Sequence, residues 1–170
     1  MHINYPLPEE AAKIISELIQ HEYDAMALKQ YISTCCLFKG YPIAAGYYNA
    51  EAIKEYNHAY RLKEFLIDRG VEPEQPEIER ADIEFSDLKS GVEANYKNEI
   101  DVTKAYDESV KKMFNLDIMA YNLLMEYISI QQREINENRR LYTAIETLSE
   151  ADQRQMEASI FGSPTSEIPG

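Results

Sequence analysis

Four stretches of this chain keep a helical period of apolar residues over many turns, and a glutamate interrupts the apolar stripe in each: Glu22, Glu55, Glu99 and Glu134. The second stretch adds His58 three residues after Glu55, an offset that places both side chains on one helix face. A carboxylate buried in such a stripe tends to neutralise unless it is paired or holds a metal ion. Four helices that turn Glu and Glu-x-x-His residues inward build the carboxylate sites of di-iron and dimanganese proteins. A chain with 30 acidic residues also places some on apolar faces by chance. Periodicity alone therefore leaves two readings open, a metal site and an ordinary packed bundle with surface glutamates.

Turn and cap residues divide the chain. A first helix is expected from about Pro8 to Leu37, with proline at its start and Glu9 and Glu10 in its first turn. Gly40-Tyr41-Pro42 closes it and opens a second, from about Ile43 to Arg69, which Gly70 terminates. Val71 to Phe85 contains Pro73 and Pro76 and reads as an extended crossover. Roughly 12 extended residues span about 40 Å, close to the length of the second helix, so a third helix can run parallel to it. Ser86 is the expected N-cap of that helix, which continues to Phe114 at a small cost from Gly91. Asp117 caps a fourth helix, Ile118 to Leu148, and Ser149-Glu-Ala-Asp152 has the capping-box spacing for a short fifth, Glu150 to Phe161. The expectation is an all-α four-helix bundle with a long crossover between helices two and three, as one domain over 1–161 with a flexible tail over 162–170.

Charge and cysteines narrow the function. A net charge of −13 offers no footprint for phosphates, so no nucleic-acid partner is expected; the acidity suits cation capture or simple solubility. Cys35 and Cys36 are adjacent, which fits neither a disulfide framework nor a Cys-x-x-Cys metal pair, and they read as small helix fillers. With no secretory signal and no apolar run long enough to span a bilayer, a cytoplasmic setting without membrane association is expected.

Several segments together resemble bacterial ferritin subunits. Ile19-Gln-His-Glu22-Tyr is similar to the region carrying the first glutamate ligand, and Glu55-Tyr-Asn-His58-Ala-Tyr-Arg-Leu62 to the segment carrying the bridging glutamate and histidine. Tyr96-Lys-Asn-Glu99-Ile-Asp-Val-Thr103 resembles the segment of the third-helix glutamate. The resemblance implies a ferritin-like bundle and a homo-oligomeric cage. It also implies an intrasubunit di-iron centre that oxidises Fe(II) with oxygen or hydrogen peroxide. Glu22 and His58 would hold one iron, Glu55 would bridge, and Glu99 with Glu134 would hold the other. His21, about 100° around the helix from Glu22, reads as a non-ligand.

The pattern departs from the family in three places. Lys29 stands where many ferritins carry a tyrosine, two turns after Glu22 and so on the same face, where it either pairs with a carboxylate, opposes metal binding, or snorkels outward. The fourth helix aligns in two registers, one adding Gln131 to Glu134 and the other adding Glu137; no histidine completes a Glu-x-x-His there, so haem is not expected. The short C-terminal segment leaves the subunit number open. Tyr106, two turns beyond Glu99, is a candidate hydrogen-bond or electron donor to the site. A di-iron or dimanganese peroxidase or oxygenase, and a noncatalytic helical shell or interaction protein, remain the competing functions.

Overall fold

Gly40 ends the first helix in the left-handed conformation (φ 83°, ψ 37°), which suits a residue without Cβ, and Pro42 opens the next. The computed structural model describes residues 5–162. In these, α1 spans Glu9–Lys39, α2 Pro42–Asp68, α3 Leu88–Met113, α4 Ile118–Ile145 and α5 Glu150–Phe161. The tail expected over 162–170 lies outside the described residues except for Gly162.

Two helical hairpins make the bundle, and the cross-contacts fix its directions. Glu22 meets Tyr106 and Lys29 meets Glu99, so α1 and α3 are antiparallel. Arg69 meets Asp117 and Arg61 meets Glu126, so α2 and α4 are antiparallel as well. With each hairpin antiparallel, α2 and α3 run in parallel, the arrangement a long crossover permits. Residues 71–85 contain neither helix nor strand, and Gln20 of α1 tethers them by accepting from the Glu77 amide (3.1 Å) and donating to its carbonyl (2.6 Å).

The start of α3 differs from expectation by one residue. Asp87 is the N-cap: its side chain accepts from the Ser90 amide (2.9 Å), while Ser90 Oγ accepts from the Asp87 amide (3.2 Å). The stronger carboxylate acceptor takes the cap, and Ser86 donates its own N–H to Ser90 Oγ. Gly91 lets the Phe85 ring pack against the helix backbone, since a Cβ there would lie 2.5 Å from that ring and displace it. The fourth helix stops at Ile145, one turn short of Leu148.

The core is in two parts. Leu18, Ala59, Leu62, Leu66, Val102 and Leu124 belong to one apolar cluster, and Ile32, Tyr48, Leu88, Val92, Leu141 and Ile145 to the other. Helix α5 closes the second end. Glu157 accepts from the amides of Ile43 (2.7 Å) and Ala44 (2.9 Å), a carboxylate at the positive end of α2. Gln153 bonds Asp87 (2.9 Å) and Arg154 bonds the Lys39 carbonyl (2.8 Å), so α5 also touches the start of α3 and the end of α1.

At the opposite end Asp117 both caps α4, accepting from the Ala120 amide (2.8 Å), and takes two hydrogen bonds from Arg69 (3.0 and 2.7 Å). The Arg69 bonds, together with the Ala120 amide, hold its carboxyl below the usual range against the opposing effect of burial. Replacing Asp117 with alanine is expected to lower stability by about 3 kcal/mol near neutral pH. A depressed folded-state pKa contributes stability that is present above the unfolded value and lost as pH falls through the folded one. The gap between the two proteins in chemical denaturation should therefore narrow below about pH 4.

Candidate metal centre

Between the two apolar clusters lies a polar layer to which all four long helices contribute. Helix α1 supplies Glu22 and, two turns on, Lys29; α2 supplies Glu55 and His58; α3 supplies Glu99 and α4 Glu134. Glu22, Lys29, Glu55 and Glu99 are buried, and His58 and Glu134 are partly buried. Each side chain occupies the inward position of its helical stripe, which explains how residues so far apart in sequence converge.

The layer divides into two groups that share one residue. Glu22, Glu55 and His58 form the first and Glu55, Glu99 and Glu134 the second, each offering ligand atoms within 4.8 Å of one another. Glu55 turns one oxygen to each side: Oε2 faces His58 Nδ1 at 3.0 Å, and Oε1 accepts from the Lys29 ammonium. His58 Nδ1 also lies 3.6 Å from Glu22 Oε2, which is buried without a hydrogen-bond partner. An orphaned carboxylate oxygen beside an imidazole, in a set of carboxylate and imidazole donors, fits a divalent transition-metal ion such as ferrous iron.

Electrostatics in the layer are set by too many carboxylates for the bases present. Burial pushes the Glu22 carboxyl up to about 7, with His58 opposing the rise. Burial likewise lifts Glu134 well above the carboxylate range, aided by the charges of Glu55 and Glu99. For Glu55, Lys29 and His58 outweigh burial, and its carboxyl is held below the usual range. Burial works against the charged imidazole of His58, but the Glu22 and Glu55 carboxylates beside it raise it to about 11. Lys29 is 1% exposed and its Nζ lies 2.5 Å from Glu99 Oε1. Desolvation opposes its charge, yet Glu55, Glu99 and Glu134 hold its pKa well above the ordinary value. The snorkelling alternative for Lys29 is thus replaced by a buried ion pair.

The remaining residues singled out by sequence take separate places. Gln131 donates to Glu134 Oε2 (2.9 Å) and accepts from Thr103 (3.0 Å). Glu137 belongs to neither group, and its carboxylate is engaged by Arg140 at 2.7 and 3.0 Å. His21 also lies outside both groups. Tyr106 reaches across to donate to Glu22 Oε1, while its own helix carries Glu99 of the second group. Sequence reasoning missed Tyr127, which stacks on Tyr106 (5.2 Å between centroids), meets His58 edge-on (5.8 Å) and donates to the His58 carbonyl (2.6 Å). The signal was present: Tyr127 precedes Glu134 by seven residues, the separation that also relates Glu99 to Tyr106 and Glu22 to Lys29.

This fold and layer define a ferritin-like protein. Residues 12–148 match the Ferritin family, described as the ferritin-like domain, and the chain belongs to it. Among similar proteins, the bacterial non-heme ferritin of Escherichia coli O157:H7 is 29% identical over 129 residues, 75% of this chain and 78% of that protein. The bacterial non-heme ferritin of Campylobacter jejuni is 28% identical over the same share of this chain and 77% of its own length. In fold, the chain is similar to an open pore ferritin from the archaeon Archaeoglobus fulgidus, with a TM-score of 0.84 at 18% identity over 90% of this chain and 95% of that one.

Burial and the neighbouring Glu22 hold the Tyr106 hydroxyl well above its ordinary pKa, so it remains a proton donor to Glu22. Tyr106→Phe preserves the ring stacked on Tyr127 and removes only that donor. Metal-free protein carrying this change is expected to lose about 1–3 kcal/mol in chemical denaturation, the cost of leaving a buried acceptor unmatched.

Proposed function

We propose that the chain is an iron-storage ferroxidase subunit that oxidises Fe(II) to Fe(III) at an intrasubunit pair of sites. The observation that carries this reading is Glu55, which belongs to both ligand groups, with Oε2 toward His58 and Oε1 toward Lys29. Glu22 and His58 hold one ferrous substrate, Glu99 and Glu134 hold the other, and Glu55 lies between them; Gln131 orients Glu134. Glu137 is assigned an accessory role at most, since Arg140 engages it.

Two ferrous ions held together supply two electrons at once, which with two protons convert dioxygen to hydrogen peroxide, or hydrogen peroxide to two water molecules. The chain's part is to bind, to orient and to manage protons. Taking up a cation at His58 requires Nδ1 to lose the proton now shared with Glu55, and at Glu22 it favours the ionised carboxylate. Proton release therefore accompanies loading. Tyr106 and Tyr127 fix Glu22 and the His58 backbone, so the first group is oriented before any ion arrives.

A homo-oligomeric cage around a ferric mineral is the assembly we propose. Family membership supports it, as do the exposed apolar side chains of Leu37, Phe38, Ile53 and Ile67 on α1 and α2. Among the described residues no helix is long and apolar enough to cross a membrane. A single domain over residues 1–161 and a cytoplasmic setting complete the proposal.

Stopped-flow oxidation of anaerobically loaded protein tests the assignment. Glu55→Ala is expected to slow Fe(II) oxidation by about 100-fold and Gln131→Ala by no more than about 10-fold, with both assemblies folded by scattering. Near-normal rates in folded Glu55→Ala protein would remove Glu55 from its place between the two ions. Turnover of an organic substrate or peroxide without retained mineral would instead favour a peroxidase or oxygenase.

A further inference from the structure

The two ligand groups are not equally open. In the first, Glu22 Oε2 is buried and unpartnered beside His58. In the second, an ammonium already sits among the acceptors: Lys29 Nζ bonds Glu55 Oε1 and lies 2.5 Å from Glu99 Oε1. Both residues belong to the group of three carboxylates that a metal ion would need. Lys29 is 1% exposed, so its charge is neutralised by these carboxylates and not by water. A divalent ion bound to the same oxygens would face a fixed like charge at bonding distance, in a layer where such repulsion is weakly screened.

We propose that the Lys29 ammonium is the resident cation of the Glu55/Glu99/Glu134 half, so that the resting subunit accepts one divalent ion, at Glu22, Glu55 and His58, and admits a second only by expelling the lysine. This rests on the metal-centre reading and adds a gate to it. The four-carbon stem lets the ammonium move without moving α1. Acceptors for it exist within the core: Tyr48 Oη and Asn95 Oδ1 are buried without partners. They lie two turns before Glu55 on α2 and one turn before Glu99 on α3. Lysine thus compensates the excess carboxylate charge before iron arrives and competes with the second ion afterwards.

Zinc provides a redox-silent probe. Metal-free assembled protein is titrated with Zn2+ by calorimetry, and the ions are located by anomalous diffraction at one equivalent and at excess, which separates the centre from binding to surface carboxylates. The wild-type protein is expected to fill the Glu22/Glu55/His58 position first and the other on the order of 100-fold more weakly. In Lys29→Met the two affinities should converge to within about 10-fold, mainly through tighter binding at Glu99 and Glu134. Lys29→Gln, which keeps a polar head without the charge, should behave like Lys29→Met. If the Met or Gln variant does not assemble, the wild-type protein decides: lysine displaced from Glu99 only when the second ion enters supports the gate. Two ions filling together in wild type, or an affinity gap unchanged in a folded Lys29 variant, would overturn the gate and leave the metal centre standing. No zinc at either position in any of the proteins would overturn both.

Discussion

The ion pair that Lys29 makes with Glu55 and Glu99 is the interaction on which the rest of this bundle depends in its metal-free state. Four carboxylates meet in one layer, and without a buried cation they would have to ionise against one another or take up protons. Lysine from α1 ties α2 to α3 through two of them, and His58 ties Glu55 to Glu22 on the other side. Charge therefore joins helices that the apolar clusters above and below hold only by packing. The layer separates these clusters and fixes the depth at which the four helices align, because one turn of slippage would strand a carboxylate in hydrocarbon.

The same arrangement explains why the site is asymmetric. The first group is braced by two tyrosines and has a vacant acceptor at Glu22. The second is braced by Gln131 and Thr103 and carries an internal positive charge. A protein of the ferritin family, whose proposed task is to take up two identical ions, thus presents them with two different receptions. Specificity for a pair over a single ion then becomes a matter of how readily one side chain leaves, a separate question from how many ligands exist.

Much of this was legible in the sequence because its signals were long. Helical periodicity sustained over many turns, paired glycine and proline at residues 40–42 and the proline-bearing stretch after Gly70 are each repeated or unambiguous statements about backbone geometry. The six residues brought together in the layer were legible for the same reason, since each falls on the inward stripe of its helix. Finer features were not. Ser86 and Asp87 are both good caps, and only the reciprocal bond with Ser90 selects Asp87. The fourth helix offered Gln131 and Glu137 equally in sequence, whereas in the structure Gln131 bonds Glu134 and Glu137 pairs with Arg140 one turn away on its own helix. The partner of Tyr106 could not be read either, because it lies on α1 and not on the helix that carries Glu99. Spacing within a helix gives a face; which residue of another helix meets it depends on axial offset and crossing angle.

The distribution of charge between the hairpins bears on how such a chain assembles. The α1–α2 hairpin brings Glu22 and Glu55 together with Lys29 and His58, so its share of the layer can be electrically balanced from local contacts alone. The α3–α4 hairpin brings Glu99 and Glu134 with no base of its own in that layer. Each hairpin has low contact order and can form quickly, but their union delivers two further carboxylates to a site with one lysine to receive them. The union of the hairpins joins an anionic half to a neutral one, so the docked bundle carries excess negative charge that protons or a cation must offset.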